Sequence, residues 1–163
     1  MAAAVPARVA IARRGNRMVN DQDGVRTLTE WISDAGIPNP PRVVVAEHSK
    51  PLRHLVTLLL RTNGFAVAAV RDGKAALEAI RSDGADCLVS DLYMPGLDGL
   101  TLTRMLRSLR AYVALPIVVF MAEAPDDPRV QPLHDLPAVR ALHKPTALQA
   151  IAPAPVAVLR PPA

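Results

Sequence analysis

With 163 residues, half of them apolar but only 3% aromatic, the chain can bury one ordinary core built from Ala, Val, Leu and Ile. Its one cysteine, Cys87, excludes an internal disulfide and a cysteine-based zinc site and points to a reducing compartment. No apolar run approaches the roughly 18 residues of a membrane span. The net charge of +4 comes from scattered arginines, without the basic stripe and interleaved aromatics of a nucleic-acid binder.

Residues 1–20 lack Asp and Glu but carry Arg8, Arg13, Arg14 and Arg17. That composition could pass for a transit peptide, but a disordered extension, or a start at Met18, is the preferred reading. Thr27 to Gly36 reads as a short helix stopped by its glycine, and Ile37-Pro38-Asn39-Pro40-Pro41 as a stiff linker. Residues 1–41 are therefore expected to be an N-terminal extension with a short helix at 27–36. The compact domain should occupy 42–152, followed by a proline-rich tail over 153–163.

Val43 to Ala46 is a buried-strand candidate. The helix after it has Pro51 in its first turn, Gly64 as its stop, and Leu52, Leu55, Val56 and Leu59 on its apolar face. A second strand spans Phe65 to Val70, and a helix over Lys74 to Arg81 turns Leu77 and Ile80 inward before Gly84. Cys87 to Ser90 forms a third strand. Asp98 then caps a helix that should bury Leu102, Met105, Leu106 and Leu109. Pro116 to Met121 and Ala138 to Leu142 complete five strands. Prolines at 125, 128, 132 and 137, and again at 153, 155, 161 and 162, predict irregular fourth and fifth helical segments.

Strands separated by helices of this length build βαβ units, hence an α/β, doubly wound, mostly parallel sheet with helices on both faces. Such a sheet brings the tips of its first and third strands together at the switch point. Glu47 and His48 follow the first strand, Asp91 ends the third, and Lys144-Pro145 follows the fifth on the same edge. Each residue has a plainer reading: Asp91 as a turn residue, Glu47 as a helix cap, Lys144 as a solvated charge. Asp98 is read as structural. No glycine-rich loop follows the first strand, which argues against a nucleotide-dependent enzyme.

The constellation resembles the receiver domain of bacterial two-component response regulators over about residues 42–150. The motifs that carry the resemblance are Val43-Val44-Val45-Ala46-Glu47-His48 and the loop from Ser90 through Asp91 and Pro95 to Gly99. The segment from Leu115 to Ala124 and the pair Lys144-Pro145 extend it. The resemblance implies a flavodoxin-like five-stranded sheet of order 2-1-3-4-5. It also implies that Asp91 accepts a phosphoryl group from a histidine kinase or phosphotransfer protein, so the chain is a phosphoacceptor rather than an enzyme. Mg²⁺ would be held by Glu47, Asp91 and the Tyr93 backbone carbonyl, with His48 as a further candidate ligand, while Lys144 contacts the phosphoryl oxygens. It further implies a cytoplasmic protein that signals to another protein without touching nucleic acid or membrane. No DNA-binding or other output domain is read after residue 150, so a stand-alone receiver is expected. A homodimer could form through the face near the fourth and fifth strands or through the Trp31 helix.

Three positions depart from the family pattern. His48 stands where the second acid is usual, offering nitrogen to an ion that prefers oxygen, so weak Mg²⁺ binding is expected. Met121 replaces a hydroxyl that would donate to the phosphoryl group, which a thioether cannot do. Ala141 replaces the aromatic switch residue three positions before Lys144. Two readings stay open: a working phosphoacceptor with altered output, and a pseudo-receiver that signals by contact alone.

Overall fold

The continuous apolar runs become strands of one parallel sheet in a computed structural model of the chain, which describes residues 18–21, 24–27, 40–124 and 126–144. Ahead of that sheet, β1 (Met18–Asp21) and β2 (Gly24–Thr27) pair antiparallel as a two-stranded sheet of their own. The chain then runs β3 (Arg42–Ala46), α1 (Lys50–Thr62), β4 (Ala66–Val70), α2 (Gly73–Asp83), β5 (Cys87–Asp91) and α3 (Gly99–Ser108). After a 3₁₀ turn over Arg110–Tyr112 come β6 (Ile117–Met121), α4 (Gln131–His134) and β7 (Val139–His143). The order β4-β3-β5-β6-β7, parallel throughout, is the expected 2-1-3-4-5 arrangement, and each strand lies within one residue of its expected bounds.

Side chains alternate across a strand, so each buried run feeds two cores. Val43, Val45, Cys87, Val89, Val118 and Phe120 pack with Val56 and Leu60 of α1 on one face. Val44, Ala46, Leu88, Ile117, Val119 and Met121 pack on the other face with Ala76, Leu77 and Ile80 of α2 and Leu102 and Leu106 of α3. Leu133 of α4 joins this second core. The full burial of β5 and β6 on both faces is what a central parallel strand requires.

The helix faces differ from expectation by a small rotation. In α1 the buried residues are Val56, Thr57 and Leu60, while Leu55 is exposed. In α3 they include Leu102, Thr103 and Leu106, while Met105 is exposed and Leu109 lies beyond the helix as its C-cap. The physical reason is the same in both. Thr57 Oγ1 donates to the Arg53 carbonyl at 2.7 Å and Thr103 Oγ1 to the Gly99 carbonyl at 2.7 Å. A threonine whose hydroxyl is satisfied one turn back is buried at little cost and takes the inward position.

The expected irregularity before β7 is present: α4 has four residues, against 13 in α1, 11 in α2 and 10 in α3. Ala138, just ahead of β7, carries a positive φ of 55°. The helix expected over 27–36 lies outside the described residues except for Thr27, which closes β2. The fifth helical segment and the tail also lie outside them.

Candidate functional site

The C-terminal ends of four strands line one edge of the sheet. Ala46 of β3 pairs with Ser90 of β5, Asp91 pairs with Phe120 of β6, and Met121 with His143 of β7. The β6–β7 ladder continues one step further, because the Lys144 N–H donates to the Met121 carbonyl at 2.6 Å. Glu47, Asp91 and Lys144 are thereby delivered to adjacent places, with Glu47 2% and Asp91 4% exposed.

The charges divide the two carboxylates between them. Lys144 Nζ sits 2.9 Å from Asp91 Oδ1 and 3.0 Å from Glu47 Oε2. His48 Nδ1 lies on the other side, 2.5 Å from Asp91 Oδ2 and 3.3 Å from Glu47 Oε1. Two buried carboxylates side by side repel strongly unless opposite charge is placed between them, and Lys144 supplies that charge. The Phe120 ring, its centroid 5.0 Å from Nζ, gives the ammonium an apolar floor.

The loop before α1 is held from within. The Ser49 N–H donates to Glu47 Oε1 at 2.9 Å, and Arg53 Nη1 donates to the Glu47 and His48 carbonyls at 2.7 and 3.3 Å. The β5–α3 loop is fixed by close approach: the Gly99 N–H donates to the Leu92 carbonyl at 2.8 Å, and a Cβ on Gly99 would collide with the Asp91 carbonyl oxygen. Asp98 caps α3, its carboxylate accepting from the Thr101 N–H at 2.8 Å and the Thr101 hydroxyl at 2.9 Å. Its structural reading is thus the one observed.

Tyr93, in the same loop, is exposed, and the Arg129 guanidinium stacks 5.1 Å from its ring centroid. Partial desolvation raises its phenol, and Arg129 opposes that rise. Asp127 chelates Arg129, and the guanidinium hydrogen bond holds its carboxyl down to about 2. Met121 is fully buried in the core and Ala141 half-buried beside it, so neither presents a polar group at the site.

Glu47, His48 and Asp91 each offer a ligand atom within 4.8 Å of the others, which is the span of a divalent-cation site. The donor set fits such an ion, two carboxylate oxygens being hard ligands and the imidazole a softer third. Sequence reasoning named these three residues and Lys144. It missed Arg53, for which the available signal was an arginine one turn into the first helix, and it named Gly99 as part of the loop motif without its close approach to the Asp91 carbonyl.

Comparison with known proteins places the chain in a family. The response regulator receiver domain model matches residues 43–154, and the chain belongs to that family of two-component signalling domains. It is 38% identical over 121 residues to response regulator MprA of Mycolicibacterium vanbaalenii, covering 74% of this chain and 51% of that protein. It is 35% identical over 82 residues to the DNA-binding response regulator MtrA of Mycolicibacterium smegmatis, covering 50% and 35% respectively. Among solved structures it is similar to the Francisella response regulator 1452 receiver domain, with a TM-score of 0.65, 25% identity, and 73% and 96% of the two chains covered. The chain spans about half the length of the curated relatives it matches. Among the described residues no helix is long and apolar enough to cross a membrane.

Proposed function

We propose that this chain is a cytoplasmic phosphoacceptor of a two-component phosphorelay, taking a phosphoryl group onto Asp91 from a phosphohistidine of a histidine kinase or phosphotransfer protein. The observation that carries the reading is the contact of Lys144 Nζ with both Asp91 Oδ1 and Glu47 Oε2 at one sheet edge. In the reaction an Asp91 oxygen attacks phosphorus and the P–N bond breaks. Its electron pair returns to the donor imidazole, leaving an acyl phosphate on Asp91. The Lys144 ammonium then trades its carboxylate contacts for the phosphoryl oxygens, countering their charge as they arrive. Glu47, Asp91 and the Tyr93 carbonyl would hold Mg²⁺, which when bound neutralises further phosphoryl charge. The protein acts as a phosphoacceptor rather than as an enzyme on a free substrate, and its readout is a protein partner.

One observation favours a second reading, a pseudo-receiver acting by contact alone: His48 fills the space between the two carboxylates. Intact mass after incubation with a small-molecule phosphodonor and Mg²⁺ separates the two. The expected result is a phosphoryl adduct that Asp91→Asn lacks completely. No adduct at high donor and metal concentration would leave the pseudo-receiver.

A further inference from the structure

We infer that His48 is a metal ligand that turns this site from Mg²⁺ towards a nitrogen-accepting transition ion of the Co²⁺, Ni²⁺ or Zn²⁺ type. The inference rests on the phosphoacceptor reading for the site's location, and on His48 for its chemistry. Nδ1 points at Asp91 Oδ2 and Glu47 Oε1, the two oxygens that Lys144 leaves free. The three ligand atoms lie within 4.8 Å of one another, so a single ion can reach all three with a small outward swing of the imidazole. That swing is available because the His48 side chain is 48% exposed, whereas its backbone is pinned by Arg53. As a ligand the ring is neutral, with its hydrogen on Nε2.

Ion chemistry gives the direction. Mg²⁺ requires near-octahedral oxygen ligands at about 2.0–2.1 Å and sheds water reluctantly. A site with one imidazole and two carboxylates, one of them partly engaged by the Ser49 N–H, serves it poorly. The same set suits ions higher in the first-row affinity series, for which imidazole is a favoured ligand. An acid at position 48 would add a third carboxylate oxygen and further negative charge, favouring Mg²⁺.

The test compares Co²⁺ and Mg²⁺ affinities of the full chain, by titration calorimetry, in the native protein and in His48→Asp. Metal sites lose roughly 10-fold or more in affinity when even an outer partner of a ligand is removed. The Co²⁺-over-Mg²⁺ preference should therefore fall by at least about tenfold in the variant, with Mg²⁺ itself bound more tightly. A paramagnetically shifted imidazole N–H resonance in the Co²⁺ form should disappear with it. An unchanged preference overturns the inference, as does a native protein that binds neither ion while His48→Asp binds both. The phosphoryl adduct is scored separately. An adduct with an unchanged metal preference sinks only the ligand role of His48, and a shifted preference with no adduct sinks only the phosphoacceptor reading.

Discussion

The two halves of the sheet are built to different standards. From β3 to α3, every crossover is a helix of 10 to 13 residues, capped or started by Pro51, Asp72 or Asp98, and the acidic residues of the site lie at the tips of its strands. From β6 to β7, the crossover shrinks to the single turn of α4, and Met121 and Ala141 occupy positions where the family pattern has groups that sense phosphate. The second half nevertheless delivers Lys144 to the site. Placing Lys144 against Asp91 and Glu47 therefore needs the β6–β7 ladder but not a regular fourth helix.

The joint between the halves is Arg107. Its guanidinium donates to the carbonyls of Pro137 (2.8 Å), Tyr112 (3.0 Å), Leu115 (2.8 Å) and Ala138 (3.3 Å). It thus holds the left-handed turn at Ala138, a conformation that costs a non-glycine residue about 1–2 kcal/mol. Burial lowers the guanidinium's pKa from its ordinary value, but the carbonyl dipoles around it hold the cation in place.

The largest stability loss is expected from Gly99→Ala in the regular half. Its new Cβ meets the Asp91 carbonyl, so denaturant unfolding should show a loss of about 3 kcal/mol together with the loss of any phosphoryl adduct. Arg107→Ala should cost about 2 kcal/mol, with faster amide exchange confined to the α4–β7 segment. Its adduct yield should match the native protein's; an equal loss of adduct would show that the halves are not separable. The smallest effect concerns the Asp127–Arg129 pair. Asp127's folded carboxyl sits at about 2 against an ordinary 3.8, so the pairing is fully present above that ordinary range and is lost only as pH falls through about 2. The Arg129 Nε–H resonance should stay fixed through mildly acid pH. Movement near neutrality would mean that the loop is held by something else.

Much of the fold was legible because a parallel strand buried on both faces must be a largely apolar run, as the central strands β3, β5 and β6 are, while the edge strands β4 and β7 are only partly buried. The phase of α1 and α3 was less legible. Thr57 and Thr103 count as polar in a hydropathy pattern, yet their hydroxyls bond within the helix. The β1–β2 pairing was missed in a region read as extension, where Asp21 pairs with Gly24 across a two-residue connection. Of the site, the residue set was readable from strand tips and spacing. The division of four carboxylate oxygens between Lys144 and His48 was not, because it depends on side-chain directions that no spacing encodes.

The backbone bond from Lys144 to Met121 sets where the ammonium falls. Among the described residues β7 is the outermost strand, paired only with β6. A slip of one residue would carry the ammonium about 3.3 Å along the strand and turn it to the opposite face. The ammonium can remain on Asp91 no longer than this edge strand stays in register. The register of β7 is therefore a condition for the Lys144 contacts with both buried carboxylates.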